Sequence, residues 1–152
     1  MSSGKKLPYE TTLMVRDTCL CLHVQRAARV LARRFDDALR TFGLTNGQFS
    51  LLMALNRPDP PSMAPVAKLL AMDRTTLTAA LKPLERRGLV EVANSPADRR
   101  SKVLVLTDEG RAALAGALPT WKKTHDEIER MMPVGDADGL RANLKALSAE
   151  GE

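Results

Sequence analysis

Two kinds of hydrogen-bond donor are concentrated in the middle of the chain: the hydroxyl groups of short threonine side chains and the charged groups of long arginine and lysine side chains. They stand at the start of a predicted helix: Arg74, Thr75, Thr76 and Thr78, with Lys82 one turn later. Donors at the N-terminal end of a helix can contact base edges in the major groove of DNA, and a cation further along can reach a phosphate. A solvated helix surface would have the same composition, so the neighbouring elements must distinguish the two interpretations.

A second charged group lies between two stretches of β-forming residues. Asp98, Arg99 and Arg100 fall in a turn at residues 94–101, which separates residues 89–92 from residues 103–106. An arginine at the tip of a β-hairpin can enter a minor groove, and a neighbouring carboxylate can hold its guanidinium in one pose. The alternative is a charged turn that only keeps the edges of a small sheet soluble.

Local signals predict the elements that would position both groups. Asp73 is a good helix N-cap, and Gly88 is a left-handed helix stop. The apolar residues between them repeat at helical spacing, namely Leu77, Ala80, Leu81 and Leu84. A short helix before them starts at Ser62 and ends in a tight turn at residues 71–73. Its inward-facing residues are predicted to be Val66, Leu69 and Leu70. We therefore predict a helix-turn-helix followed by a β-hairpin wing.

Long helices are predicted on either side of this unit. Apolar residues recur every three or four positions through residues 13–42, after a loose polar arm at residues 1–12. Such a helix, about 40 Å long, cannot bury its whole apolar stripe inside one small domain, so we expect a second chain to cover part of it. Gly43 ends this helix, and Thr45 caps the next one at residues 46–56.

The C-terminal third repeats this pattern. Thr107 caps a second long helix that continues to Met132, with a kink expected at Pro119. A last short helix carries Leu140, Leu144 and Leu147. Because no linker separates domains, we predict a mainly α (α+β) fold, a single winged helix-turn-helix domain at residues 1–152. Residues 45–107 would bind DNA, and the helices at residues 13–42 and 108–149 would form a homodimer.

Charge and composition narrow the function classes. The 152-residue chain has a formal net charge of +5, and residues 66–102 hold eight cations against four acids. Clustered positive charge favours a polyanion as partner. Only 3% of residues are aromatic, which argues against a surface that stacks single-stranded bases or RNA.

The same composition argues against a membrane protein and an enzyme. No apolar run is long enough to span a bilayer and no signal peptide precedes the first helix, so a cytoplasmic protein without a membrane partner is expected. The chain has neither a Gly-rich phosphate loop nor a supported carboxylate pair, and its two histidines are far apart. We therefore predict no catalysis and no cofactor.

Several of these residues together resemble the wing signature of the MarR family of winged helix-turn-helix transcription regulators. The signature reads D-x-R followed by L-T-x-x-G, with the residues Asp98, Arg100, Leu106, Thr107 and Gly110. The resemblance extends to Leu44-Thr45 and to LERRGLV at residues 84–90, and it covers about residues 18–132.

Membership in that family implies a homodimer built from the terminal helices that binds a palindromic operator in double-stranded DNA. It also implies repression, relieved by an oxidant or by a small apolar or phenolic effector bound near the junction of the dimer and the DNA-binding part. By motif position, Arg100 would enter the minor groove with Asp98 as its brace, and the start of the Arg74 helix would read bases. A winged-helix module that binds protein is the alternative from another class.

The cysteines leave two further interpretations open. Counted back from Leu44-Thr45, Cys21 falls where the hydroperoxide-sensing branch of the family keeps its reactive cysteine, although the aromatic run that follows there is absent here. A buried, inert thiol is the alternative. Cys19 and Cys21, expected on one helix, are too close to bridge each other. Cys19 and His23 are four residues apart and could bind Zn²⁺ or Cu only with a third ligand such as His125, so no metal is predicted.

Overall fold

The computed structural model describes residue 4 and residues 6–149 as a mainly helical chain with one two-stranded sheet. Its elements in chain order are α1 (Tyr9–Thr18), α2 (Leu20–Leu39), a 3-10 turn (Arg40–Phe42), α3 (Asn46–Leu55), α4 (Met63–Leu70), α5 (Arg74–Arg86), β1 (Val90–Asn94), β2 (Lys102–Leu106), α6 (Asp108–Glu129) and α7 (Ala137–Ser148). The predicted α+β winged-helix fold class is confirmed. The chain forms two compact units, one up to Arg34 and one from Phe35 onward, so their boundary falls inside α2.

The second unit has a continuous apolar core. Its largest fully buried side chains come from the end of α2, from α3, α4 and α5, and from the sheet; they include Leu39, Leu52, Val66, Leu77, Leu84 and Leu104. Trp121 of α6 packs against this core, with its ring centroid 5.8 Å from that of Phe49 and 6.3 Å from that of Phe35. His125 stacks on Trp121 at 4.8 Å, and its Nδ1 lies 3.4 Å from Oε1 of Glu129. His125 is therefore a half-buried packing residue.

The start of α3 is held by side chains that the sequence identified in part. Thr45 and Gln48 form a capping box, in which each side chain accepts a hydrogen bond from the other's backbone N–H at 3.1 Å. Asp36 adds a second anchor, because its Oδ1 accepts from the backbone N–H of Asn46 at 2.7 Å and from the side-chain amide at 3.0 Å. These bonds, the backbone one first, hold the pKa of the Asp36 carboxyl below its usual value.

The wing hairpin is attached to the helix-turn-helix by backbone contacts. Strand β1 pairs antiparallel with β2, from Val90 opposite Leu106 to Asn94 opposite Lys102. The backbone N–H of Leu104 also donates to the carbonyl of Pro61 at 2.8 Å, and Ser62 bridges Val103. The segment that leads into α4 therefore adds a third, very short strand position that the sequence did not predict.

The start of α6 is clamped against the turn that precedes β1. The hydroxyl of Thr107 donates to the carbonyl of Gly88 at 2.7 Å and accepts from the N–H of Gly110 at 3.0 Å. The carbonyl of Leu89 lies so close that a Cβ added at Gly110 would stand 2.3 Å from its oxygen. The L-T-x-x-G pattern thus combines a helix cap with a position at which only glycine fits.

Three predictions about elements are wrong. Residues 13–42 are not one helix, because Cys19 is extended and its Sγ accepts from the N–H of Leu22 at 3.5 Å, so α2 begins anew. The polar arm is helical from Tyr9 onward, while residues 1–3 and 5 lie outside the described part. The third error concerns Leu69 of α4, which is 63% exposed. The left-handed stop predicted at Gly88 is confirmed, with φ +72°, and so is the helix end at Gly43, with φ +68°.

The terminal helices bury little within the chain. No residue of α1 or α7 is buried. Large apolar side chains remain exposed in both, among them Tyr9, Met14 and Val15 in α1 and Leu140, Leu144 and Leu147 in α7. None of the helices described combines the length and the apolar character needed to cross a membrane.

Candidate nucleic-acid interface

The turn between α4 and α5 aims the second helix outward. Ala71 adopts a left-handed conformation with φ 51°, and the backbone N–H groups that follow α4 bond back to it, Met72 to the carbonyl of Ala67 at 2.9 Å. Asp73 is extended and starts α5. The tight turn predicted at residues 71–73 is confirmed, and its geometry is that of a helix-turn-helix.

Helix α5 has a buried face and an exposed face of different chemistry. Its cap is Asp73, whose Oδ1 accepts from the N–H of Thr76 at 2.7 Å. This bond, with a smaller contribution from the Thr76 hydroxyl, holds the pKa of the Asp73 carboxyl below its usual value. Leu77 and Leu84 are fully buried in the core. Because these leucines point inward, the opposite face must project from the domain.

That outer face carries every residue that the sequence predicted on this helix. All five side chains are exposed: Arg74, Thr75, Thr76, Thr78 and Lys82. Arg74, Thr78 and Lys82 line one groove of about 240 Å³ between α5 and the hairpin. Val92 and Lys102 of the hairpin form the other side of the groove. The first turns of α5 and the wing therefore present a joint surface.

The tip of the wing is organised by Asp98. Its Oδ1 accepts from the backbone N–H of Arg100 at 3.0 Å, and its Oδ2 accepts from the hydroxyl of Ser101 at 3.3 Å. The predicted brace of the Arg100 guanidinium is not formed by an ion pair, since within residues 6–149 that guanidinium has no acidic partner. Asp98 instead fixes the loop backbone, because an aspartate at a turn bonds an N–H two residues ahead. Arg99 and Arg100 are both exposed.

The wing and the recognition helix meet in a second, larger cavity. Arg74 from the start of α5, Arg100 from the wing tip and Lys102 from β2 line an open space of about 500 Å³. Its remaining wall comes from the start of α4, including Ser62 and Met63. Three cations from two elements thus converge at one place, where they can bind adjacent phosphates or a base edge and a phosphate. Arg99 does not line this cavity.

Lys102 lies at the candidate interface, although the sequence analysis did not assign it to the site. It lines both cavities, and its Nζ donates to Oδ1 of Asn94 at 2.6 Å across the hairpin. The register pairs these two residues at the open end of the strands. A sequence-based register would have placed Lys102 beside the arginine-bearing turn, so the signal was present.

The cysteine and histidine residues of the N-terminal unit form no metal site. Cys21 is exposed, so the interpretation as a buried core thiol is wrong, and its Sγ accepts from Nε2 of Gln25 at 3.0 Å. Cys19 and Cys21 were expected on one helix, but this expectation is wrong, because Cys19 lies between α1 and α2 and Cys21 lies in α2. His23 Nδ1 lies 2.7 Å from the carbonyl of Cys19. Throughout residues 6–149, no three of the side chains that commonly bind metals are grouped to hold an ion.

Comparisons with known proteins agree with this geometry. A sequence model of the MarR family matches residues 42–101. The transcriptional repressor MprA of Escherichia coli K12 is 32% identical over 148 residues, which is 96% of this chain and 81% of MprA. Other curated transcription regulators match over shorter stretches; the chain spans about half the length of two of them, 48% for NicR of Pseudomonas putida and 49% for TtmR of Methylorubrum extorquens.

Solved structures extend the likeness to nearly the whole chain. The transcriptional regulator MosR of M. tuberculosis, solved in complex with DNA, is 40% identical, with a TM-score of 0.77 over 86% of this chain and 93% of MosR. The repressor CouR of Rhodococcus jostii, bound to p-coumaroyl-CoA, is 28% identical, with a TM-score of 0.78 over 90% of this chain and 96% of CouR. With the helix-turn-helix, the cationic wing and these near full-length matches, the chain belongs to the MarR family of winged helix-turn-helix transcription regulators.

Proposed function

We propose that this chain is a cytoplasmic transcription regulator that binds a palindromic operator in double-stranded DNA as a homodimer and represses transcription. One observation carries the proposal: Arg74 of the recognition helix and Arg100 of the wing line the same cationic cavity. Two elements that would reach different grooves thereby present their cations toward one common space, an arrangement suited to sequence-specific binding. MosR, solved with DNA, and the repressor MprA support it by likeness.

The DNA proposal is tested by selecting bound duplexes from a random pool with the full chain. We expect an inverted repeat, because two equivalent copies read two equivalent half-sites. Its affinity should exceed that of a scrambled duplex by a factor of roughly 10³ or more, and should fall steeply as salt rises. Equal binding of both duplexes would leave nonspecific charge attraction or a protein-binding module, and would refute the proposal.

The homodimer is supported by the exposed apolar side chains of the terminal helices. Leu140, Leu144 and Leu147 follow one another at helical spacing on α7, and each is at least 40% exposed. A charged or polar residue would be expected at such positions on a helix that faces only water. Light scattering should give twice the chain mass at micromolar concentration; a single-chain mass at that concentration would refute the dimer.

Relief by a small apolar or phenolic effector is proposed from likeness. The structure of CouR was solved with bound p-coumaroyl-CoA, a thioester that carries a phenolic ring. A panel of phenolic acids and their thioesters should contain a compound that lowers operator affinity and raises the melting temperature of the protein, because a ligand of the native state stabilises it. No response to any member would remove this class of effector.

A second candidate signal is oxidation of Cys21. The observation in its favour is an exposed thiol, which an oxidant in solution can reach, and its sulfur accepts a hydrogen bond from the Gln25 amide at 3.0 Å. Organic hydroperoxide should then release the wild type from the selected duplex and leave Cys21→Ser bound. Equal behaviour of the two proteins would eliminate this signal.

A further inference from the structure

Thr78 is exposed on the side of α5 that borders the groove between this helix and the hairpin. It lies one helical turn after Arg74 and one turn before Lys82, and all three line the groove between α5 and the hairpin. Residues four apart on a helix are surface neighbours. If the two cations contact the DNA backbone or a guanine, the side chain between them is held against the floor of the major groove.

The hydroxyl of Thr78 is already used within the helix. Its Oγ1 donates to the carbonyl of Arg74 at 2.8 Å. A threonine hydroxyl has one hydrogen to donate, and this bond to the residue four positions earlier occupies it. Thr78 therefore cannot donate to a base acceptor without breaking the bond. What it presents to a groove is its methyl group, together with the lone pairs of Oγ1.

Thr75 differs in this respect and provides an internal comparison. Among the described residues its hydroxyl has no hydrogen-bond partner, and its side chain is exposed on the first turn of α5. Thr75 can therefore donate to a base or a phosphate. The two residues have the same side chain, but in this helix only the Thr75 hydroxyl is free to act as a donor.

We propose that Thr78 recognises a thymine in each operator half-site through contact between its methyl group and the C5-methyl group of the base. This inference rests on the proposed DNA-binding function and names the base that one residue of that site selects. Thymine is the standard base that presents a methyl group in the major groove, and an aliphatic side chain is its usual partner. The contact excludes water from both groups, and one such methyl is worth roughly a fourfold change in affinity.

The test uses the full chain and the duplex selected from the synthetic random pool, which contains no 5-methylcytosine. Each thymine is replaced in turn by deoxyuridine, which lacks only the C5-methyl group, and affinity is measured by fluorescence anisotropy. We expect one position per half-site at which the replacement weakens wild-type binding roughly fourfold. Because the pool holds no methylated cytosine, the methyl group detected is that of thymine.

Three variants separate the methyl group from the hydroxyl. Thr78→Val keeps the methyl and should bind like the wild type with the same deoxyuridine sensitivity, since valine's usual helical rotamer fits the same space. Thr78→Ser keeps the hydroxyl and should bind roughly fourfold more weakly, with that sensitivity lost. Thr75→Val is the matched control. With this variant, replacing the thymine assigned to Thr78 by deoxyuridine should still weaken binding by the same factor as with the wild type.

Two results would overturn the inference while leaving the proposed function in place. One is a selected duplex whose thymines can all be replaced by deoxyuridine without effect. The other is weak binding by Thr78→Val together with normal binding by Thr78→Ser, which would show that the hydroxyl reads the base. A pool from which no preferred duplex emerges would refute the DNA-binding proposal itself.

Discussion

The winged-helix part and the terminal helices differ in the burial of their apolar residues. In α3, α5 and β2 the apolar residues are buried inside the chain, with Leu52, Leu77 and Leu104 fully inaccessible. In α7 the leucines at the same helical spacing stay exposed, and no residue of α7 is buried. A periodic apolar stripe therefore predicts burial without saying which chain supplies the other surface. The winged-helix part covers its apolar stripes within the chain, whereas the stripe on α7 would be covered only in the homodimer that we propose.

The largest effect is expected from disturbing the packing of the start of α6 on the winged-helix part, at Gly110. A Cβ at this position would stand 2.3 Å from the carbonyl oxygen of Leu89 and 2.6 Å from a methyl of Leu106. We expect Gly110→Ala to lower the free energy of unfolding by about 3 kcal/mol or more, because backbone must move. Urea denaturation followed by circular dichroism measures the effect.

Gly116 is the matched control in the same helix. A Cβ there would meet no atom within 4 Å. Gly116→Ala should raise stability by about 0.5–1 kcal/mol, since alanine is the better helix former. Similar values for the two variants would contradict the close approach at Gly110.

The complementary test concerns the exposed stripe. In the full chain, Leu144→Ala should weaken self-association, because up to about 2 kcal/mol of apolar contact per leucine is lost at the interface. Sedimentation equilibrium should show a dimer dissociation constant at least roughly tenfold higher. Lys145→Ala, next to it on α7, should change this constant little.

Within the DNA-binding surface, the two wing arginines should differ. Arg100 lines the cavity that it shares with Arg74, and Arg99 does not. Arg100→Ala is expected to cost about 1–3 kcal/mol of operator affinity, whereas Arg99→Ala should cost less and mainly reduce the salt dependence. Fluorescence anisotropy titrations with the selected duplex at several salt concentrations measure the affinity of both variants. Equal losses of affinity would contradict the different roles inferred for Arg100 and Arg99.

The smallest expected effect is a pH dependence from Asp36. Its carboxyl has a pKa lowered from 3.8, first by the backbone N–H of Asn46 and then by the side-chain amide. A lowered pKa in the folded state means that the contribution is fully present above the unfolded pKa and is lost as pH falls through the folded pKa. The free energy of unfolding of Asp36→Ala should therefore decrease less steeply than that of the wild type as the pH falls below about 4.

Asp37→Ala is the control for removal of a carboxylate from the same helix. The Asp37 carboxylate pairs with Arg40 at 2.7 Å, where both side chains are well exposed. Urea unfolding at a series of acidic pH values would compare the two variants with the wild type. An unchanged slope in Asp36→Ala would show that the bonds to Asn46 do not contribute.

Much of the fold and of the site could be predicted because the signals are local. Thr45, Asp73 and Thr107 cap the helices that their chemistry predicted. Gly43 and Gly88 have the left-handed backbone expected of helix stops. Capping and glycine conformation depend on a few neighbouring residues, so one sequence is sufficient to find them. The α5 residues proposed for DNA contact are exposed because the leucine spacing determines which face is buried.

The errors arose where the spacing of apolar residues alone did not determine where a helix begins or which side of it is buried. Cys19 looked like an interior residue of one long helix, but its extended backbone and the sulfur contact to Leu22 divide that helix. Leu69 fits the inward spacing of α4, yet the helix is short and the core reaches only one side of it. At the wing tip, the Asp98 carboxylate accepts from one backbone N–H, that of Arg100, and from the Ser101 hydroxyl; its role as a brace of the Arg100 guanidinium on DNA stays a prediction.

The sequence by itself determined the order of elements from α3 onward, the winged helix-turn-helix, the family signature and the cationic character of the middle of the chain. These properties follow from periodicity, caps and charge, which are written in adjacent residues. Only the tertiary structure decided that Arg74, Arg100 and Lys102 line one cavity, and that the Thr78 hydroxyl is committed to Arg74. Such relations depend on how α4, α5 and the hairpin pack, and on the rotamer that a helix imposes, which no local pattern encodes.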